Sequence, residues 1–218
     1  MAFWCCVFRY EVTVQLGRIF FLPWVGPQYA SGGIFGKRIM VLGDSHYCGE
    51  PCRDCGQRFG TKCSEFTTTV VRDYLDQNNE REGWMSTYLK FERSLVNHET
   101  LPEESVKIWN SLLFYNYLQV AMQGPRQAGT PEQYREASEP FFEVMDRYQP
   151  DLLVVWGVRL WNNLPAGRWV DGPDLKVDGY AINNGFYRLS NGKMVRTICV
   201  YHPSVGYSWD YWYKVIMS

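Results

Sequence analysis

The sequence lacks three features whose absence narrows the range of functions. It contains no apolar run of the roughly 20 residues that a membrane-spanning helix needs, so no contact with a membrane is expected. It has no excess of positive charge, because 22 basic and 23 acidic residues give a formal net charge of −1. Any binding of nucleic acid would therefore depend on a local basic patch. Its first residues, MAFWCCVF, contain neither a basic segment nor a small-residue cleavage site, so we expect a cytoplasmic protein without a secretory signal.

The chain does contain enough apolar material for one sizeable core. Its 218 residues are 46% hydrophobic and 17% aromatic, which suits a single domain. The sequence has no internal repeat and no low-complexity tract. We divide it into an N-terminal lead-in segment, residues 1–36, and one α/β domain, residues 37–218, and we expect a monomer.

Four short apolar runs predict the buried strands of a parallel sheet. A nearly continuous apolar run of five or six residues is typical of a strand that is covered on both faces. The runs cover residues 38–42, 111–115, 151–156 and 197–201. Each is followed by glycine or by polar residues, and the carboxyl ends of parallel strands share one rim, where ligands bind. We therefore predict that Asp44, Asn116 and His202 converge on one site.

The segments between these runs indicate helices and one hairpin. Apolar residues recur at helical spacing over residues 64–77 and 83–96. Thr130, Pro131 and Gln133 form a strong helix start, and that helix should run to residue 148. Residues 165–185 are predicted to be a mobile excursion, and residues 186–200 a hairpin with an Asn-Gly turn. This alternation predicts an α/β fold, a three-layer α/β/α sandwich with a mainly parallel central sheet.

Four cysteines lie close together after the first strand. They are Cys48, Cys52, Cys55 and Cys63. Four thiolates within sixteen residues can close around one tetrahedral ion, which favours zinc, and an iron–sulfur cluster uses the same ligands. The odd total of seven cysteines also favours a reducing compartment over a disulfide framework. The alternative is a reduced loop that faces the solvent.

The rim residues together resemble the uracil-DNA glycosylase superfamily. In that family a first motif follows the first core strand, an asparagine ends a middle strand, and His-Pro-Ser follows the last strand. The matching segments are Gly43-Asp44-Ser45-His46-Tyr47, Asn116, and His202-Pro203-Ser204. The segment PDLLVVWGVRLWNNL, residues 150–164, is also similar to a strand and helix of the family. The resemblance covers roughly residues 37–217 and implies the family's α/β fold.

The resemblance also implies a reaction and a role for each matched residue. The reaction is hydrolysis of the N-glycosidic bond of a flipped, deaminated base during DNA repair, with DNA, single-stranded DNA included, as the partner. No cofactor is needed for this chemistry. The implied roles are catalysis for Asp44, His202 and Ser45, base binding for Asn116, Tyr47 and His46, and phosphate binding for Ser204.

The first motif departs from the family pattern at three positions. Ser45 stands where some members carry a carboxylate, His46 replaces the usual proline, and Asp44 replaces a glutamine or glutamate. Two alternatives therefore stay open. One is a catalytically silent module that binds nucleic acid or a nucleobase. The other is an SGNH-type esterase with Ser45 as nucleophile and His202 as base, although the chain lacks the Asp-x-x-His element usual in those enzymes.

Overall fold

A mixed β-sheet forms the centre of the molecule. The computed structural model of the chain describes residues 18–48 and 63–218. Seven of the strands in these residues form one sheet, in the order β1-β3-β2-β4-β9-β8-β5, and β6 pairs with β7. The strands are β1 (Trp24–Val25), β2 (Ile39–Gly43), β3 (Leu112–Asn116), β4 (Leu152–Trp156), β5 (Trp169–Asp171), β6 (Lys176–Val177), β7 (Tyr180–Ala181), β8 (Asn184–Arg188) and β9 (Met194–Val200).

The middle of the sheet is parallel and its edges are antiparallel. Strands β3, β2, β4 and β9 pair in parallel. Strand β1 runs antiparallel to β3, β8 to β9, and β5 to β8. The α/β class and the four predicted core strands are confirmed, and their carboxyl ends lie at one rim of the sheet. The predicted hairpin is also confirmed, as β8 and β9.

Helices pack on both faces of the sheet. This burial on two sides explains why the sequences of the core strands are continuous apolar runs. In β2, Ile39 and Val41 belong to one hydrophobic cluster, and Met40 and Leu42 belong to another. The first cluster includes residues of α1 (Phe66–Leu75), α2 (Met85–Val96), α3 (Pro102–Trp109) and α7 (Trp209–Met217). The second includes residues of α4 (Pro131–Glu136), α5 (Ser138–Tyr148) and α6 (Val158–Trp161).

The helix predicted from Thr130 to residue 148 is two helices, which corrects the prediction. Its start is as expected, because Thr130 and Gln133 form a reciprocal capping box. The first helix ends at Glu136, and α5 begins at Ser138. Pro140 is the third residue of α5, where a backbone N–H has no intrahelical acceptor in any case, so the proline fits there and not in the middle of a longer helix.

Residues 165–185, predicted to be a mobile excursion, contain three short strands. Strand β5 pairs with β8, and β6 and β7 form a small hairpin. The carbonyl of Asn183 accepts a hydrogen bond of 2.9 Å from the backbone N–H of Cys199 in β9. Strand β5 of this stretch therefore extends the sheet beyond β8. No helix within residues 18–48 and 63–218 is long and apolar enough to cross a membrane.

Part of the lead-in segment is joined to the loop that follows β3. The side-chain oxygen of buried Gln119 accepts hydrogen bonds from the backbone N–H groups of Phe20 and Phe21, at 2.9 and 3.1 Å. Its amide nitrogen donates to the backbone carbonyl of Asn116 at 3.1 Å. Gln119 thus fixes the end of β3 against residues 20–21.

Candidate functional site

The candidate site lies at the carboxyl end of β2, where successive strands are added on opposite sides of that strand. Strand β3 is added on one side of β2 and β4 on the other, so the crevice beyond β2 and β4 is a topological switch point. Strand β2 ends at Gly43, β3 at Asn116, and β4 at Trp156, which Gly157 follows. The residues after these strands therefore face one crevice.

Asp44 is the buried carboxylate of this crevice, with 8% of its surface exposed. Its Oδ1 accepts a hydrogen bond of 2.9 Å from the hydroxyl of Tyr134. Its Oδ2 accepts a hydrogen bond of 2.7 Å from Nε of Arg159, and Nη2 of the same arginine lies 2.5 Å away. A buried carboxylate is tolerated only when it is paired and hydrogen-bonded, and these two residues meet that need.

Arg159 and Tyr134 are the site residues that sequence reasoning missed. Arg159 lies on α6, 115 residues from Asp44, and also donates from Nη1 to the carbonyl of Arg126 at 3.0 Å. Burial and then the nearby Asp44 raise the pKa of Tyr134 to about 12, so its hydroxyl remains a donor. The available signal was the position of Arg159, two residues beyond the glycine that follows a core strand.

Among the residues that the structure describes, the pairing leaves Asp44 able to accept one more hydrogen bond. An ionised carboxylate has about four lone-pair sites. Arg159 occupies those of Oδ2, and Tyr134 occupies one of Oδ1. The second site of Oδ1 can therefore accept from a water molecule or a ligand.

The side chain of His46, in the first motif, is buried among aromatic side chains. It is 6% exposed, stacks on Phe66 at a ring distance of 4.4 Å, and meets Phe21 edge-on at 5.0 Å. Its Nε2 lies 2.8 Å from the hydroxyl of Thr67. Burial lowers the pKa of His46 from 6.5 to about 3, so the ring is neutral. These contacts are those of a core residue, and a role for His46 in contacting a base stays a prediction.

Asn116 lies beside His46, at the end of β3. Its Nδ2 is 3.0 Å from Nε2 and 3.2 Å from Nδ1 of the His46 ring. The amide nitrogen can only donate, so the ring accepts, as a neutral imidazole can. A Cβ atom on Gly43 would lie 2.2 Å from the side-chain oxygen of Asn116, so any larger residue there would displace the Asn116 amide. The second N–H of Asn116 and its oxygen make no hydrogen bond with the residues that the structure describes and remain available to a ligand.

His202 follows β9 and is held by the serine two residues on. Its Nδ1 lies 2.8 Å from Oγ of Ser204 and accepts a hydrogen bond of 3.3 Å from the backbone N–H of Ser204. The proton of the neutral ring is therefore on Nε2, which becomes a donor. Burial lowers the pKa of His202, Arg159 acts in the same direction, and Asp44 opposes them. The charges of Asp44 and Arg159 thus affect the pKa of His202.

The remaining predicted residues lie around these groups. Tyr47 is 47% exposed and forms an isolated parallel bridge with Met122, and Ser45 is half-buried. Asn116 ends β3 and His202 follows β9, and these two strands are three positions apart in the sheet. At about 4.8 Å per strand they are separated by roughly 14 Å at the level of the backbone. A ligand held by both must therefore span the crevice over Gly43 and Gly157.

Of the four candidate metal ligands, the structure describes two. Cys48 and Cys63 are half-buried, and Cys52 and Cys55 lie outside the described residues. Within residues 18–48 and 63–218 there is no group of three or more histidine, cysteine, aspartate or glutamate side chains that could hold a metal ion. The zinc or iron–sulfur site therefore stays a prediction, supported by the donor set of four closely spaced thiols.

We expect purified protein to carry about one zinc ion or one iron–sulfur cluster per chain, because a closed thiolate site binds such metals tightly. Elemental analysis of protein prepared without chelator measures this directly. Replacing both Cys52 and Cys55 with serine should abolish the bound metal, whereas Cys199→Ser, which changes a buried cysteine of β9, should retain it. Wild-type protein with no stoichiometric zinc or iron would contradict the metal site.

Comparison with known proteins does not assign this chain to a family. Neither a scan against protein-family models nor a search of the curated proteins gave a match. Any functional conclusion therefore depends on the residues of the crevice and on their geometry.

Proposed function

We propose that this protein is a uracil-DNA glycosylase-like enzyme that releases a flipped base from DNA, with the three-layer α/β/α fold of that superfamily. One observation carries the proposal: the charges of the paired, buried Asp44 and of its partner Arg159 act on His202, a neutral histidine with its proton on Nε2. The acid can orient a nucleophile, and the histidine can stabilise a leaving group. The amide of Asn116, at the end of the neighbouring strand, adds a group that can read a base.

Base release requires stabilisation of the negative charge that develops on the departing base. As the bond between C1′ of the sugar and the base nitrogen breaks, its electron pair moves onto the base and its carbonyl oxygen. A donor that is already in place lowers the energy of this state more than a donor that must reorient. Nε2–H of His202 is such a donor, because Ser204 fixes the opposite side of the ring. The neutral ring has no charge that would attract unrelated anions.

A water molecule must replace the base at C1′. The free lone pair on Oδ1 of Asp44 can orient this water and accept its proton as the new C–O bond forms. Arg159 and Tyr134 hold the carboxylate in one orientation, which is the condition for positioning a nucleophile. Ser45 is adjacent in sequence, but it does not carry the charge that this task requires.

The rim also has features suited to a DNA strand. The side chain of Arg159 is 43% exposed and, although it is paired with Asp44, it places guanidinium N–H donors at the rim. Tyr47 and Tyr201, which are 47% and 55% exposed, offer aromatic rings on which bases stack. Ser204 can bind a phosphate only if its hydroxyl turns away from His202, because its one proton is donated there.

We expect Asp44→Asn to lower the rate of uracil release from single-stranded DNA by about 10²–10⁴-fold, the usual contribution of a general base. Ser45→Ala should cost less than about tenfold, since no step of this reaction uses its hydroxyl. Single-stranded substrate avoids the cost of unpairing the target base. Asparagine still accepts from Tyr134, so the variant preserves part of the local structure. Single-turnover rates of the two variants and the wild type provide the measurement.

Other outcomes would replace the proposal with one of its alternatives. A silent binding module would bind a flipped-base analogue with unchanged affinity and release no uracil, hypoxanthine or xanthine. Two contacts would explain such silence, namely the engagement of Asp44 by Arg159 and of Asn116 by His46. An esterase would hydrolyse an acyl ester and lose this activity in Ser45→Ala. The esterase alternative is the weaker one. Nδ1 of His202 accepts from Ser204 and Nε2 carries the ring proton, so neither nitrogen is free to accept the proton of Ser45.

A further inference from the structure

A second cavity, of about 580 Å³, lies beyond the far side of α6, at the antiparallel edge of the sheet. Its wall combines aromatic and charged side chains: Trp161, Trp169, Tyr187, Asp171, Asp174 and Lys176. Its volume is within the range of about 300–1,000 Å³ that is typical of small-molecule sites. None of the residues proposed for base release lines it, so the cavity is distinct from the crevice beyond β2 and β4.

The aromatic wall of the cavity is held in place before any ligand arrives. Trp169 meets Trp161 and Tyr187 edge-on, at ring distances of 5.3 and 5.1 Å. A Cβ atom on Gly185 would lie 2.2 Å from the Trp169 ring, so this ring lies directly over the backbone of β8. A wall that is ordered in advance reduces the entropy lost when a ligand binds.

Three neutral polar side chains of the wall already donate hydrogen bonds within it. Nε1 of Trp169 donates to Oδ1 of Asp171, and the hydroxyl of Tyr187 donates to the carbonyl of Pro165, both at 2.8 Å. Nδ2 of Asn184 donates to the carbonyls of Pro173 and Ile182 at 3.1 and 3.0 Å. These groups shape the cavity, and they cannot recognise a ligand without breaking an existing hydrogen bond.

Three charged groups of the wall remain free for a ligand. Oδ2 of Asp171, the carboxylate of Asp174 and the ammonium of Lys176 have no hydrogen bond or ion pair with any residue that the structure describes. All three side chains belong to exposed residues. A ligand suited to this wall has a planar ring for the aromatic side chains, N–H groups for a carboxylate, and an oxygen acceptor for the ammonium.

We propose that this cavity binds a guanine base. The Watson–Crick edge of guanine presents one carbonyl oxygen next to a ring N–H and an exocyclic amino group, which matches one ammonium beside carboxylates. Uracil has two carbonyl oxygens and a single N–H on its edge, and adenine has no carbonyl oxygen, so both match less well. Two carboxylates beside one lysine also disfavour a ligand with several phosphates. The proposal does not depend on base release in the first crevice.

The experiment is a titration of the protein with guanosine, cytidine and uridine, followed through the indole N–H signals in ¹⁵N NMR spectra. Trp169→Phe identifies the Trp169 signal. We expect guanosine to shift this signal saturably and to bind at least about tenfold more tightly than uridine, the effect of losing one hydrogen bond to a charged group. No saturable shift with guanosine, or equal affinity for uridine, would overturn the proposal.

Variants of the two acids locate the binding. In Asp171→Asn the amide oxygen can still accept from Trp169, but the other oxygen becomes an amino group, and guanosine affinity should fall about tenfold or more. Asp174→Asn should also weaken binding. Asp178→Asn is the matched control, because Asp178 lies in the same segment but pairs with Lys214 outside the cavity. If all three variants bind guanosine with the affinity of the wild type, the two acids do not contact the ligand, and the guanine assignment is refuted.

A second arm distinguishes a free nucleoside from a base within a strand. Octamers of thymidine with and without one central guanine are titrated in the same way. If the cavity accepts a guanine in a strand, the guanine-containing octamer shifts the Trp169 signal, and Asp171→Asn weakens the effect. If the octamers do not shift it and guanosine does, the ligand is a free nucleoside. Guanine binding is supported in both cases.

Discussion

Replacing His202 with alanine is expected to lower the rate of base release from single-stranded uracil-containing DNA by about 10²–10³-fold, the usual cost of losing one preorganised donor to a developing negative charge. Ser204 engages Nδ1 of the ring, so the single proton of neutral His202 is on Nε2. Burial, which lowers the pKa of His202, keeps the ring in this form at neutral pH. Because the charge on the base exists only in the transition state, the loss should appear in kcat and leave KM little changed.

Two further variants make this result specific. His202→Gln keeps a side-chain N–H donor and should retain more activity than His202→Ala. His98→Ala changes an exposed histidine that pairs with Glu104 and has no role in the proposed reaction, so this variant should react at the wild-type rate. A His202→Ala protein that is folded, as judged by circular dichroism, and still releases uracil at the wild-type rate would exclude His202 as the donor.

The free energy of unfolding is expected to fall between pH 6.5 and pH 4.5 by roughly 2–3 kcal/mol because of His46 alone, at about 1.4 kcal/mol per pH unit. Burial lowers the pKa of this histidine from 6.5 to about 3 in the folded chain. Below pH 6.5 the unfolded chain therefore takes up a proton at His46 that the folded chain does not. Protonation stabilises only the unfolded state, so this contribution to stability is complete above pH 6.5 and is lost as the pH falls.

The measurement is urea unfolding of the wild type and of His46→Gln at several pH values. The variant loses the contacts of the ring with Phe66 and Thr67, but it has no imidazole to protonate. The stability advantage of the wild type should therefore shrink by roughly 2–3 kcal/mol from pH 6.5 to pH 4.5. If His46→Gln does not fold, an NMR titration of wild-type His46 decides, and protonation near pH 6 would refute the prediction.

The core strands could be predicted from the sequence because burial on both faces leaves a local signal. The run that became β2 is apolar at four consecutive positions, Ile39 to Leu42, since alternate side chains enter two different clusters. The capping box at Thr130 could be predicted for the same reason, as its partner is only three residues away. Features of this kind need no knowledge of the tertiary fold.

The pairing within the crevice could not be predicted, because its partners are far apart in sequence. Arg159 and Tyr134 lie 115 and 90 residues from Asp44, and no local pattern relates them. The burial of His46 depends on Phe21 and Phe66, which come from the lead-in segment and from α1. The end of α4 was missed because Pro140 fits the first turn of a new helix as well as it disfavours the middle of a longer one.

The position of β9 has a consequence for folding during synthesis. It is the last of the described strands to leave the ribosome, yet it lies inside the sheet, between β4 and β8. Until it is made, the edge of β4 that faces away from β2 is open. Its unpaired backbone groups and apolar side chains favour association with other chains. Parallel pairs such as β2 with β4, which join residues more than one hundred positions apart, also form slowly. We therefore expect the nascent chain to need protection by chaperones until β9 and α7 have emerged.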